Sequence, residues 1–169
     1  MEENKHKHLQ ELLEGFDTVM LITRHGDREH ARPMAVAGVD GSTVVWFVTS
    51  EGSPKADELR SDSFAAITAQ AGRKFVALSG RAELRRDRAK LDELWNEAWK
   101  VWFPGGKEDP TLSLIRVVVD DAEYWDSSGL KGIRYALEAA RAYVKGETPT
   151  PSPGQHGRVI PSRARPADR

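Results

Sequence analysis

The sequence predicts a mainly β domain with added helices, built as an antiparallel, Greek-key-like β-barrel of about six strands. Three observations carry this reading. Six extended runs rich in β-branched and aromatic residues are separated by short turns containing Gly and Asp. These runs largely follow one another directly, which argues against the alternating strand and helix units of a Rossmann fold. Apolar residues at three-and-four spacing are confined to a few segments beside the strands.

The elements follow in order. Leu9, Leu12, Leu13 and Phe16 recur at helical spacing, so residues 6–14 read as an amphipathic helix that ends near Gly15 and plugs one barrel end. Residues 18–23, 29–39 and 43–50 read as three strands of a meander, with turns at His25-Gly26-Asp27 and Asp40-Gly41-Ser42. Gly52-Ser53-Pro54 then interrupts the chain, with Ser53 as a helix cap, Pro54 at the first helical position and a helix through about Arg60. Residues 63–70 and 74–84 form a strand pair around Ala71-Gly72-Arg73 and extend the meander to five strands.

From 87 to 103, Leu91, Leu94, Trp95, Ala98, Trp99 and Trp102 share one helical face, which is the strongest helix signal in the chain. Phe103-Pro104-Gly105-Gly106 breaks it, and residues 112–125, with Ile115, Val117, Val119 and Tyr124, supply a last strand that closes the barrel. A final helix is expected over 132–144. Residues 146–169 are rich in Pro, Arg, Ser and Gly and read as a disordered tail, which leaves a single domain over 1–145.

Composition narrows the chemistry. The chain has 169 residues and a net charge of −1, which suits one domain and argues against a nucleic-acid surface. It has no cysteine, which excludes disulfides, thiolate zinc sites and cysteine nucleophiles. His6, His8, His25, His30 and His156 lack metal-ligand spacing, so no metal site is expected. Neither a signal-peptide stretch near the first residues nor a run of membrane-spanning length is present, so a cytoplasmic protein with no membrane partner is expected. Phosphate-loop, dinucleotide and nucleophile-elbow motifs are missing, and no residue stands out as catalytic acid, base or nucleophile. Any redox chemistry would belong to a cofactor.

Two stretches could hold one. In Trp46-Phe47-Val48-Thr49-Ser50-Glu51-Gly52-Ser53-Pro54-Lys55, a strand runs into a helix start. Thr49, Ser50 and Ser53 offer hydroxyls there and Lys55 a full charge, a set suited to a phosphate. The plainer alternative is that Ser53 only caps the helix and Lys55 is solvated. In His30-Ala31-Arg32-Pro33-Met34, Arg32 could clamp an anion, while Pro33 marks an edge or a bulge whose backbone is free to meet a ligand. The alternative here is a plain edge strand protected by its proline. Trp95, Trp99 and Trp102 read as core or interface packing, whereas Trp125, at the end of a strand, is better placed to cover a planar ring.

Taken together, Arg32-Pro33-Met34, Trp46 to Ser50, Lys55, Val76 to Gly80, Trp102 to Gly106 and Ala122 to Asp126 resemble the pyridoxamine 5′-phosphate oxidase-like FMN-binding split barrels. The resemblance spans roughly residues 9–126 and is greatest to the general stress protein 26 branch. It implies FMN, with FAD as the alternative, bound at a homodimer interface. Arg32, Pro33, Met34 and Ala35 would line the isoalloxazine ring, Thr49 and Ser50 would meet the ribityl-phosphate region, Ser53 and Lys55 would hold the phosphate, and Trp125 would come from the partner subunit.

Two departures matter. Asp126-Ser127-Ser128-Gly129-Leu130 lacks the Arg-x-His segment of authentic pyridoxamine phosphate oxidases, so that activity is not expected. Phe75 stands where such oxidases place a flavin-contacting glutamine. The resemblance therefore implies a flavin-binding protein, an oxidoreductase of unknown substrate served by a small-molecule electron donor, with a role in general stress response. The alternative is a non-catalytic module that stores or senses flavin.

Overall fold

A computed structural model describes residues 2–128 and 155–160. Helix α1 (Glu2–Glu14) turns Leu9, Leu12 and Leu13 into the core, where all three are buried. Strands β1 (Thr18–His25) and β2 (Arg28–Ala35) form the first hairpin. The chain then bends, with Val36 N–H donating to the Asp17 carbonyl at 2.9 Å, and enters the short β3 (Gly38–Asp40) and β4 (Val44–Ser50). Helix α2 (Pro54–Ser61) follows, then β5 (Phe64–Ala71), β6 (Lys74–Arg85) and helix α3 (Arg88–Leu94). Two 3₁₀ segments, Glu97–Val101 and Gly106–Glu108, lead to β7 (Leu112–Asp126), and β8 (His156–Val159) comes last.

The order across the sheet is β2-β1-β5-β6-β7-β4-β3, antiparallel throughout, with β8 also paired to β7. Pro33 thus lies on an edge strand, where its missing N–H costs no ladder bond.

Four expectations need correction. The run 29–39 is not one strand: it splits into β2 and β3, and β4 pairs with β7 and β3 instead of continuing a meander beside β2. Burial explains this, because Val44 through Thr49 are buried without alternation and need cover on both faces. Val45 and Phe47 enter the main core, while Val44, Trp46 and Val48 enter a second cluster with Leu91 and Trp99. Secondly, the hydrogen-bonded sheet does not close, since β2 and β3 remain at the two ends of the ladder.

Thirdly, the segment 87–103 is not one helix. It breaks after Leu94, where Trp95 takes an extended conformation (φ −60°, ψ 134°) and the Asn96 side chain caps the next turn by accepting from Ala98 N–H at 2.9 Å. The break leaves Trp99 buried and Trp102 62% exposed. Finally, part of the stretch read as tail is ordered. β8 pairs with residues 122–125 of β7, and Val159 is fully buried in the main core. Gly157 makes the pairing possible, because a Cβ there would lie 2.4 Å from the Tyr124 ring. The rest of 146–169 and the helix expected over 132–144 lie outside the described residues. Among those residues no helix is long and apolar enough to cross a membrane.

Candidate functional site

β2, α2 and the 3₁₀ segment surround a cavity of about 360 Å³. Pro33, Met34 and Ala35 of β2 form one wall and Trp99, Trp102 and Phe103 another, while Lys55 reaches it from the first turn of α2. The walls are mostly apolar and in part aromatic, and the volume lies within the usual range for small-molecule sites. Of the residues expected to hold a cofactor, Pro33, Met34, Ala35 and Lys55 line this cavity, whereas Arg32, Thr49, Ser50 and Ser53 are not part of its lining. Trp99 is packed in the second core cluster, as its helical spacing suggests, and also borders the cavity, whereas Trp102 is exposed at the cavity rather than packed. Phe103, which the sequence shows only as the start of a helix-breaking turn, lines the cavity as well.

Lys55 is half-buried and has no hydrogen-bond partner among the described residues. Burial lowers its pKa and the nearby Arg32 guanidinium lowers it further, against the opposing field of Glu58. An ammonium partly stripped of water and left unpaired favours an anion beside it.

The hydroxyls are arranged otherwise than a simple cap requires. Ser53 occupies the N-cap of α2, but its side chain makes no capping bond. Instead its Oγ lies 3.0 Å from Oγ1 of the buried Thr49. The plain capping alternative therefore fails for the Ser53 hydroxyl. Ser50 takes part through its carbonyl, which accepts from Ser53 N–H at 3.1 Å.

Arg32 is engaged beside the cavity. One of its terminal nitrogens donates to the Thr23 hydroxyl, and the other donates to Glu58 Oε2 at 2.8 Å. Thr23 in turn donates to Glu58, and His30 Nδ1 lies 2.6 Å from Glu58 Oε1. Glu58 is only 5% exposed. Burial pushes its carboxyl pKa up, but the hydrogen bonds from Thr23, His30 and Arg32 outweigh burial and hold it at about 2. Glu58 is thus an acceptor-only carboxylate at neutral pH, which makes His30 Nδ1 the donor of its bond. Sequence reading missed Glu58 altogether. Its one local signal is its place a helical turn after Lys55, where a solvated carboxylate would look the same.

The low value has a testable consequence. With the folded pKa at about 2, below its ordinary 4.5, Glu58 stabilises the fold fully above 4.5. That contribution is lost as pH falls from 4.5 toward 2. Stability measured by urea unfolding is expected to drop across this window in the unaltered protein and less steeply in Glu58→Gln.

Trp125 is elsewhere. It is 38% exposed and borders a separate, open depression of about 660 Å³ with Phe75 and Met20, its indole stacked on His156 at 5.4 Å between ring centres. A single chain does not bring it to the cavity that Lys55 faces. Among the described residues no cluster of His, Asp or Glu is arranged to hold a metal ion.

Comparison with known proteins places the chain in a family. The family described as pyridoxamine 5′-phosphate oxidase like matches residues 4–150, which include every element from β1 to β7. The chain belongs to the pyridoxamine 5′-phosphate oxidase-like family. The match ends before β8, so that strand is an addition to what the family description covers.

Among solved structures, a candidate general stress protein 26 from Jannaschia sp. CCS1 superposes with a TM-score of 0.73 at 26% identity, covering 95% of this chain and 99% of that one. The general stress FMN/FAD binding protein of Xanthomonas citri gives 0.64 at 30% identity over 76% of this chain and 94% of its own. General stress protein 26 from Bacillus anthracis gives 0.64 at 21% identity over 73% and 94%, a likeness of fold alone. No curated protein matches the chain.

Proposed function

We propose that this family member is a flavin-binding protein that holds FMN, with FAD as the alternative, and uses it as an oxidoreductase. One observation carries the reading: a half-buried Lys55, without a hydrogen-bond partner among the described residues, lining a mostly apolar cavity with the aromatic Trp99, Trp102 and Phe103. Such a site suits a molecule that is planar and apolar at one end and anionic at the other. The isoalloxazine ring would lie against Pro33 to Ala35 and beneath Trp102 and Phe103. The phosphate would meet Lys55, with the Thr49 and Ser53 hydroxyls and Ser50 nearby. The similarity to the general stress FMN/FAD binding protein of Xanthomonas citri supports the choice.

Bound flavin would supply hydride exchange with a small-molecule donor. The chain's own residues would bind and orient it, and the aromatic wall would exclude water from one ring face. The substrate is not pyridoxamine phosphate on this reading, because no Arg-x-His segment follows Trp125. We take the assembly to be a homodimer in the cytoplasm acting in general stress response. Exposed Met20, Phe75 and Trp125 offer an apolar face for a second copy, and Trp125 would reach the partner's flavin.

The test is a visible spectrum of the purified protein after FMN is added and unbound ligand removed. Retention of about one FMN per subunit is expected, and retention of none would overturn the reading. Anaerobic NADPH or NADH followed by oxygen then separates the redox role from storage, since turnover no faster than that of free FMN would leave only a binding module.

A further inference from the structure

We infer that Glu58 is a positioning residue: through its contacts with β1 and β2 it holds the Arg32 guanidinium beside Lys55 as the second arm of an anion clamp. This rests on the flavin reading and adds a residue to it. Glu58 sits one turn after Lys55 on α2 and is gripped by Thr23 from β1 and by His30 and Arg32 from β2. An arginine side chain left free would have to be ordered whenever an anion bound. Here the order exists beforehand, because two of its terminal N–H groups are tied to Thr23 and Glu58. Its other N–H groups have no partner among the described residues and remain able to donate.

Charge points the same way. One carboxylate stands against two basic side chains, Arg32 and Lys55, and the Arg32 field acts adversely on Lys55. A bound phosphate would relieve that repulsion. Glu58 therefore sets the geometry of the cations without cancelling their excess charge. A purely structural ion pair would support every ligand equally, and a competing carboxylate would weaken phosphate binding. The three cases differ in sign.

The experiment measures FMN and riboflavin affinity by flavin fluorescence in the full chain, in Glu58→Gln and in Thr23→Val, which loses the hydroxyl bridging Arg32 to Glu58. FMN affinity is expected to fall about ten-fold in Glu58→Gln while riboflavin affinity stays the same, so the ratio of the two collapses. Thr23→Val should move the ratio in the same direction, and it carries the test alone if Glu58→Gln fails to fold. Equal losses for both flavins, no change, or tighter FMN binding would each overturn the inference. An unaltered protein that binds neither flavin would instead bring down the flavin reading itself, and this inference with it.

Discussion

Lys55→Ala is expected to weaken FMN binding by about 100-fold while leaving the fold as stable as before. The magnitude follows from what the ammonium would do. A hydrogen bond to a charged group contributes about 1.5–3 kcal/mol, and each 1.4 kcal/mol is ten-fold in affinity. The unchanged stability follows from what Lys55 does without ligand. It has no hydrogen-bond partner among the described residues, and burial and Arg32 disfavour its charge more than Glu58 favours it, so its removal breaks no hydrogen bond of the fold. Equilibrium titration of FMN together with thermal unfolding of the apoprotein checks both halves. Unchanged affinity would place the phosphate elsewhere, and a large loss of stability would mean that the ammonium serves the fold.

Gly80→Ala is expected to destabilise the protein by about 3 kcal/mol, lowering the melting temperature by roughly 6–12 °C. A Cβ at this position would lie 2.0 Å from the Val118 carbonyl oxygen and 3.0 Å from Val119 Cα. Both are backbone atoms, which no side-chain rotation can move aside. Gly80 also sits where the β6 and β7 ladder shifts register, so relief would require the two longest strands to part. Stability of 5–15 kcal/mol is usual for a domain, so this single methyl would take a large share. Gly52→Ala is the control, because nothing lies within 4 Å of its added Cβ and its φ is not left-handed. Thermal melts of the two variants should therefore diverge, and equal melts would show that the β6–β7 contact relaxes freely.

Much of the fold could be read along the chain because the signals are local. The helix start at Ser53-Pro54, the turns around Gly26, Gly41 and Gly72, and the strands beside them depend on residues within a few positions of one another. The candidate wall Pro33 to Ala35 and the charge of Lys55 were accessible for the same reason. The break at Trp95 was not, because three-and-four spacing continues unchanged across Asn96 and only the cap it forms stops the helix. Spacing alone therefore puts Trp102 on the same face as Trp99, from which the break separates it.

The run of Val, Trp and Phe in β4 announced a strand but not its neighbours. Pairing with β7 joins residues about 70 positions apart, and that choice depends on which faces must be covered. β8 likewise carries few apolar residues of its own, and Val159 becomes core only because Tyr124 and Gly157 let the strand lie close.

Residue types, turns and strand segments, and with them the family, were determined by the sequence alone, since each rests on chemistry between near neighbours. Which charges are buried and what they touch came from tertiary packing. Glu58 illustrates the division: one turn from Lys55 it looks like any solvated carboxylate. Its partners Thr23, His30 and Arg32 lie 26 to 35 residues away, and only the packing of α2 against β1 and β2 removes water and leaves those donors to hold its charge.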